Sequence, residues 1–466
     1  MRWSETATPV RMQRVAIVAP SAALRETLLL VADAGCVEVD RTEDAAPGPA
    51  ARRLHRLPSA PGRPAALSDT PPDLDRLERE ARLDLLAGEA QVEECAASAV
   101  HRGEAVALAG WCPADRVARL TEALAVTGSA LVPLRAPRGV DPPTLLREGG
   151  ALRTAFAPLV RTYGTAPYHD LDPTWPAGIV YVVMFGLMFG DAGHGALLLL
   201  AALVLRTGRP RRLARLRPAW PFLAGAGLCS MLAGVAFGEF FGPTGGLPVL
   251  WLAPLEQPER LLAAAVALGG LLLALAHVAG AVNRWREGGP ARALCATSGV
   301  AGLALFLGLG AVGAGIHLRS PGFAAGGAVL LLAGLALAGL GLFGAGAGGA
   351  GGALQTAVEL FDAVLRLFAN TVSFSRLAAF GLTHAALGQV VWRGTLGLAG
   401  RGAWGPVAAA LLFAVGTVLT FGLEVLVAGI QALRLEYYEL FSRVFQNLGR
   451  PFRPWHVPIR RTEVPR

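Results

Sequence analysis

The chain contains no lysine: all 42 of its Lys/Arg positions are arginine. Cysteine is almost as scarce, with five residues, Cys36, Cys95, Cys112, Cys229 and Cys295. Their odd number and the lack of CxxC or metal-ligand spacing exclude a disulfide framework and a cysteine-built metal centre. They read as reduced, structural thiols. Charge of either sign is thin as well, at 16% of residues against about 25% in ordinary soluble domains. With 53% hydrophobic residues and a mean hydropathy of +0.47, the composition excludes a simple water-soluble domain and points to a polytopic membrane protein. A phosphate-binding Gly-Lys-Ser/Thr pattern is also missing, and Gly341–Gly352, nearly all Gly and Ala, reads as a flexible loop end. No nucleotide site, cofactor or metal is expected.

The apolar content is uneven. Residues 1–170 are rich in Arg, Asp, Glu and Pro, and the long apolar runs lie between 175 and 445, with the boundary at Asp172-Pro173. The expected domains are a small cytoplasmic α/β domain over 1–170 with a short helical, coiled-coil-like arm, an α-helical membrane domain over 171–450 and a cytoplasmic tail over 451–466. The start, Met-Arg-Trp-Ser-Glu-Thr, lacks a charged-then-apolar signal pattern, so the first domain is expected to stay in the cytoplasm. The net charge of +8 does not argue for nucleic acid, because the arginines cluster beside apolar segments, where juxtamembrane charge belongs.

Within the first domain, Arg14 to Ala19 reads as a strand, Ala22 to Ala34 as a helix and Cys36 to Asp40 as a strand. Residues 42–72 read as a flexible insert outside the core. Leu74, Leu77, Ala81, Leu85 and Gly88 form a helical stripe, the expected arm. Ala105 to Trp111 as a strand and Pro113 to Val126 as a helix then suggest a second α/β lobe.

Seven apolar stretches follow, at about 174–205, 219–241, 260–282, 291–316, 322–345, 354–392 and 404–446, each at or above the roughly 20 residues a span needs. The first is broken by Gly190, Asp191, Gly193, His194 and Gly195, too polar and glycine-rich for one lipid-facing helix, and reads as a tight hairpin of two spans. Arginines at 206–217, 284–292 and 450–461 mark the cytoplasmic side. That placement favours about eight spans in the cell membrane with both termini cytoplasmic. As single helices, 354–392 and 404–446 would each reach about 60 Å, so the last two are expected to be long and tilted or to project.

Ionisable groups at membrane depth carry the functional signal. An arginine there costs roughly 2.5 to 3.5 kcal/mol on insertion scales and marks an ion path by default. Arg376 lies mid-stretch, whereas Arg366, about 15 Å earlier on the same expected helix, can snorkel to the interface. Glu424, Gln431 and Arg434 fall within about 80° of one another on the last helix. With Arg376 and His384 they are expected to build one polar groove, in which Glu424 and His384 exchange protons and the arginines stay charged. Plainer readings stand beside this one. Arg376 can be satisfied by carbonyls or Asn370, Glu424 can pair helices, Gln431 can be interhelical glue, and Asp191 and His194 can close the hairpin backbone. Glu239 reads as interfacial or as lining a vestibule. A secondary transporter and a membrane scaffold are the alternative classes. The first would carry internal repeats, which the sequence does not show, and the second would not need Arg376, Glu424 and Arg434 together.

Several motifs carry a family resemblance: Asp141-Pro142-Pro143-Thr144-Leu145-Leu146, Phe156 to Gly164, Tyr168 to Thr174, Met184 to Gly195, Ser373-Phe374-Ser375-Arg376-Leu377 with His384, Ala432 to Ser442, and Gly449-Arg450-Pro451-Phe452. Less specific are Met12-Gln13-Arg14-Val15 and Ala109-Gly110-Trp111-Cys112-Pro113. The chain resembles the membrane stator subunit of V/A-type (vacuolar/archaeal-type) rotary ATPases, the a subunit or subunit I family. The resemblance implies a non-catalytic, eight-span subunit that forms proton or sodium half-channels. Arg376 would face the carboxylates of a rotor ring of proteolipid c subunits, with Arg434 as its partner and Glu424, Gln431 and His384 supporting the path. Further implied partners are peripheral stalk subunits, the V1/A1 catalytic head and the lipid bilayer. The short N-terminal region departs from the family's long two-lobed domain, which implies either reduced stalk contacts or an extra partner that compensates.

Overall fold

The computed structural model describes residues 8–41, 47–57, 64–147, 149–209, 211–346, 348–445 and 449–460. The chain divides into two compact units, one built on Pro9–Arg147 with Gly449–Arg466, the other centred on Glu148–Leu448.

The first unit runs β1 (Met12–Pro20), α1 (Leu24–Ala34), β2 (Glu38–Val39), α2 (Pro49–Arg56), β3 (Leu67–Ser68), α3 (Leu74–Arg79), α4 (Leu83–Ala97), β4 (Val100–Arg102), β5 (Ala105–Pro113), α5 (Val117–Ala125), β6 (Ala130–Leu134) and β7 (Ile459–Arg460). The two expected lobes are one. β1 pairs antiparallel with β5 along its whole length, Met12 opposite Pro113 to Pro20 opposite Ala105, and with β6 on its other side. This merges both halves into a single sheet of order β2-β5-β1-β6, with β4 also on β5. Alternation along β1 buries Val15, Ile17 and Ala19, and Val15 and Ile17 share a core with Leu28, Val31, Leu120 and Leu124 of the covering helices.

The stripe expected as an arm is not one helix. Ala81 sits at φ 49° and divides α3 from α4. α4 then packs inward, with Val92 and Cys95 in the core. Gly88 permits this, since a Cβ there would run into the carbonyl of Ala66. Residues 42–72 are not all insert: the Ala50 N–H of α2 donates to the Glu93 carboxylate at 2.9 Å, and Ala66 and Leu67 are buried. Residues 42–46 and 58–63 of that expectation lie outside the described residues.

The C-terminal segment is structural in this unit. β7 pairs in parallel with β3, Trp455 and Val457 enter the core, and Trp455 Nε1 donates to Gln91 Oε1 at 3.0 Å. Removal of a buried aromatic of this kind costs about 3–5 kcal/mol. Trp455→Ala is therefore expected to lower the unfolding free energy of this unit by that amount, read by hydrogen exchange on the full chain. A loss under about 1 kcal/mol, within the range of ordinary surface substitutions, would show that the segment contributes little.

The second unit contains α6 (Ala151–Tyr163), α7 (Thr174–Met188), α8 (Ala192–Thr207), α9 (Trp220–Phe237), α10 (Pro258–Cys295), α11 (Val300–His317), α12 (Pro321–Ala345), α13 (Gly349–Ser373), α14 (Ser375–Ala399) and α15 (Gly405–Leu435), followed by a π-helical turn, Glu436–Phe441, and α16 (Ser442–Val444). The boundary lies near 148 rather than 170. The amphipathic α6 belongs with the apolar helices because Phe156 packs edge-on to Trp175 and Phe222, at 6.3 and 6.0 Å between ring centroids. Among the described residues five helical segments are long and apolar enough to cross a membrane, Arg212–Phe237, Pro258–Cys295, Val300–His317, Pro321–Ala345 and Gly405–Val444, and α7 and α8 are shorter apolar helices.

The first apolar stretch breaks where the Gly-Asp pair predicts. Gly186 of α7 faces Cys229 and Gly190 faces Phe237, so α7 runs parallel to α9; Gly195 of α8 faces Met231 and Gly227 faces Leu198, so α8 runs antiparallel to α9. The chain therefore reverses at 189–191. The stretch 354–392 is not one 60 Å helix: α13 and α14 part at Phe374, whose ring is buried against Gly269 of α10 and whose N–H reaches Thr371 O in a three-residue turn. Arg366 and Arg376 thus sit on different helices. The final segment does run on for 40 residues, Gly405–Val444, about 60 Å, through the π turn.

Candidate functional site

The site is built on α14 and α15. His384 lies opposite Glu424, Gly416 faces Val391, Gly394 faces Leu412 and Gly405 faces Leu398, which makes the two helices antiparallel. In that register Arg376 comes level with Gln431, Arg434 and Glu439. The five sequence-predicted residues therefore do not share one groove. They form two polar layers, offset by the eight residues between Arg376 and His384, about 12 Å along α14.

The first layer joins His384 and Glu424 to the chain reversal. Asp191 is the N-cap of α8: its Oδ1 accepts from the His194 N–H at 2.8 Å and the Phe241 N–H at 3.1 Å, and its Oδ2 accepts from the Gly242 N–H at 2.6 Å. Capping satisfies a backbone donor that the helix start leaves open, and here the same carboxylate also clasps the loop after α9. Ser230 Oγ donates to the carbonyls of Phe189 and Asp191 at 3.2 and 3.4 Å. Gly234 lets the helices close, because a Cβ there would lie 2.6 Å from Asp191 Cα. His384 Nδ1 contacts Glu424 Oε2, and its Nε2 lies 3.7 Å from Asp191 Oδ2. His194 Nδ1 lies 3.6 Å from Asp191 Oδ1. Asp191, His194 and His384 are 0%, 3% and 3% exposed, walled by Phe189, Phe241 and Phe421. Glu239, expected at an interface, is buried within electrostatic reach of Asp191, His384 and Glu424.

In the second layer Arg376 Nη1 lies 3.6 Å from Glu439 Oε1, which also contacts Ser373 Oγ. The Arg376 side chain remains 30% exposed. Gln431 is half-buried, and its Oε1 is buried without a hydrogen-bond partner among the described residues. Arg434 is exposed, within electrostatic reach of Glu439. The Tyr181 hydroxyl donates to Gly429 O at 3.1 Å and ties α7 to this level of α15.

Sequence reasoning did not single out Glu439 and Glu436. Both are buried, and the Glu436 carboxylate lacks a hydrogen-bond partner among the described residues. Their signal was two acids closing an apolar membrane-length run. The π turn, a winding frequent at functional sites, decides which way they face.

The chain matches the model of the V-type ATPase 116 kDa subunit family over residues 96–216 and 353–457, two blocks that contain Asp191 and His194 and the whole set Arg376, His384, Glu424, Gln431 and Arg434. It is 28% identical over 368 residues to the A-type ATP synthase subunit I of Aeropyrum pernix, covering 69% of this chain and 51% of that protein. To the same subunit of Thermococcus kodakarensis it is 26% identical over 382 residues, 75% of this chain and 54% of the relative. To the human V-type proton ATPase 116 kDa subunit a 3 it is 31% identical over 163 residues, 32% of this chain and 19% of the relative. The chain spans about half the length of the archaeal relatives it matches.

Proposed function

Because the chain belongs to the V-type ATPase 116 kDa subunit family, we propose that it is the membrane stator subunit of a V/A-type rotary ATPase and carries ions past a rotor ring of c subunits. The supporting observation is the pair of offset polar layers on α14 and α15, next to an outer face of α15 that is otherwise apolar and exposed at Leu419, Leu423, Leu426 and Ile430. That face suits an apolar ring sliding past it in lipid.

In this reading Glu424 and His384 pass protons between an aqueous half-channel and the ring. Arg376 supplies the fixed charge. A cation at about 4 Å from a carboxylate is worth roughly 4 kcal/mol at an effective dielectric constant of 20, about three pKa units, so a ring carboxylic acid nearing Arg376 loses its proton. The same charge repels a proton that would otherwise leak directly between half-channels. Glu439 faces one nitrogen of the guanidinium across 3.6 Å, and the rest stays available to the ring. ATP synthesis or hydrolysis belongs to the V1/A1 head, and the sheet unit contacts the peripheral stalks. Helices α7 to α12, the α13–α14 pair and α15 would make eight passes with both termini cytoplasmic. Sodium in place of protons would leave the role of Arg376 unchanged.

ATP-driven proton uptake into vesicles carrying the co-expressed complex tests this. Glu424→Gln keeps the shape but cannot exchange a proton and is expected to lower uptake at least about tenfold with assembly intact, the scale of losing a positioned proton-transfer group. Uptake at the wild-type rate would remove Glu424 from the path.

A further inference from the structure

We propose that Asp191, His194 and His384 form a binding site for one divalent transition-metal ion of the Zn²⁺ class, and that occupation of this site closes the proton path at Glu424. The binding half stands on the geometry. The closing half rests on the function proposed above.

One carboxylate oxygen and two imidazole nitrogens, from the start of α8 and the middle of α14, lie within 4.8 Å of one another. His194 Nδ1 lies 3.6 Å from Asp191 Oδ1 and His384 Nε2 lies 3.7 Å from Oδ2, so the two rings face different oxygens of one carboxylate, each at close to the edge of about 3.4 Å that ligand bonds of about 2.0–2.1 Å require in a tetrahedron. Small side-chain rotations close the difference. Asp191 is already oriented by three backbone N–H groups, which leaves an Oδ2 lone pair toward His384. His194 has neither ring nitrogen in a hydrogen bond among the described residues although it is 3% exposed. A buried polar group left unmatched costs about 1–3 kcal/mol, a cost that metal coordination removes.

Glu424 completes the arrangement. Its contact with His384 Nδ1 favours the tautomer protonated there, which frees the Nε2 lone pair toward Asp191. A carboxylate behind a ligating histidine is the usual support of such a ligand and raises its basicity. Three protein ligands of type N₂O with one position left for water suit Zn²⁺ and related ions. They do not suit Mg²⁺ or Ca²⁺, which take six or more oxygens. With Nε2 on the metal and Nδ1 on Glu424, His384 has no nitrogen left to carry a proton onward.

Two measurements test this with Zn²⁺ alone. On the full chain purified in lipid nanodiscs, equilibrium dialysis should give one Zn²⁺ per chain, and X-ray absorption should show two imidazoles with N/O ligands at about 2.0–2.1 Å and no sulfur near 2.3 Å. His194→Gln should weaken binding at least tenfold. No bound zinc, or zinc on sulfur, overturns the site, and the absorption result on the wild type does not depend on how the variant folds. In vesicles of the assembled complex, Zn²⁺ should block proton uptake at the concentration that fills the site. Full occupancy without inhibition, or inhibition equally strong in His194→Gln, overturns the closing half. In the first case the binding half stands and the role of His384 in proton transfer fails with it; the second leaves that role standing.

Discussion

Arg376→Ala is expected to abolish ion pumping by the assembled complex while assembly is unchanged, as checked by co-purification of the other subunits. In the proposed reading the guanidinium is the cation that would meet the ring from α14, and Arg434, although exposed on the facing helix, stands on a different element. Without Arg376 the roughly three-unit depression of a ring carboxylate pKa disappears, and a neutral acid carries its proton through the stator instead of releasing it. Passive proton leak through the complex should rise, because the charge separating the two half-channels is gone. Arg376→Lys keeps the charge but loses the planar, multidentate guanidinium, and is expected to retain only a small part of the activity. The local fold should tolerate these changes: Arg376 is 30% exposed and meets Glu439 at 3.6 Å, and Glu439 keeps Ser373 as a partner. Wild-type pumping in Arg376→Ala would sink the half-channel reading and move the chain toward a scaffold or an unrelated transporter.

Asp191→Ala is expected to produce the largest loss of stability of any single change in the membrane unit. It orphans the N–H groups of His194, Phe241 and Gly242 at a residue that is 0% exposed. At about 1–3 kcal/mol for each buried unmet donor, the sum of roughly 3–9 kcal/mol is a large share of the 5–15 kcal/mol that typically holds a domain together. The protein should accumulate poorly in membranes and lose thermal stability in detergent. Asp191→Asn keeps one acceptor oxygen and the shape, and should recover part of the loss. A thermal midpoint for Asp191→Ala within a degree or two of wild type would show that the clasp contributes little to stability.

Much of the site was legible before folding. Arg376, His384 and Glu424 stand out because charge in an apolar run is costly and rare, and the break at Gly190-Asp191 follows from backbone that lipid cannot solvate. The strand of residues 14–19 and the helix that follows were readable from alternation and period. Other features were not. The tail 451–460 carries no apolar periodicity of its own, and it becomes core only because β7 finds β3, separated from it by almost the whole chain. The stripe at 74–88 fits a continuous helix by spacing, and the turn at Ala81 with the inward seat of Gly88 redirects it.

By itself the sequence determined that a polar region precedes a series of membrane-length apolar stretches, where those stretches lie and which polar residues interrupt them, because hydrophobicity and charge are local properties. Only the tertiary structure decided that these residues form two layers instead of one groove, that Glu439 meets Arg376 and that Asp191, His194 and His384 converge. Those facts depend on the antiparallel register of α14 and α15, the reversal at 189–191 and the π turn at 436–441, and register is fixed by packing between segments far apart in the chain.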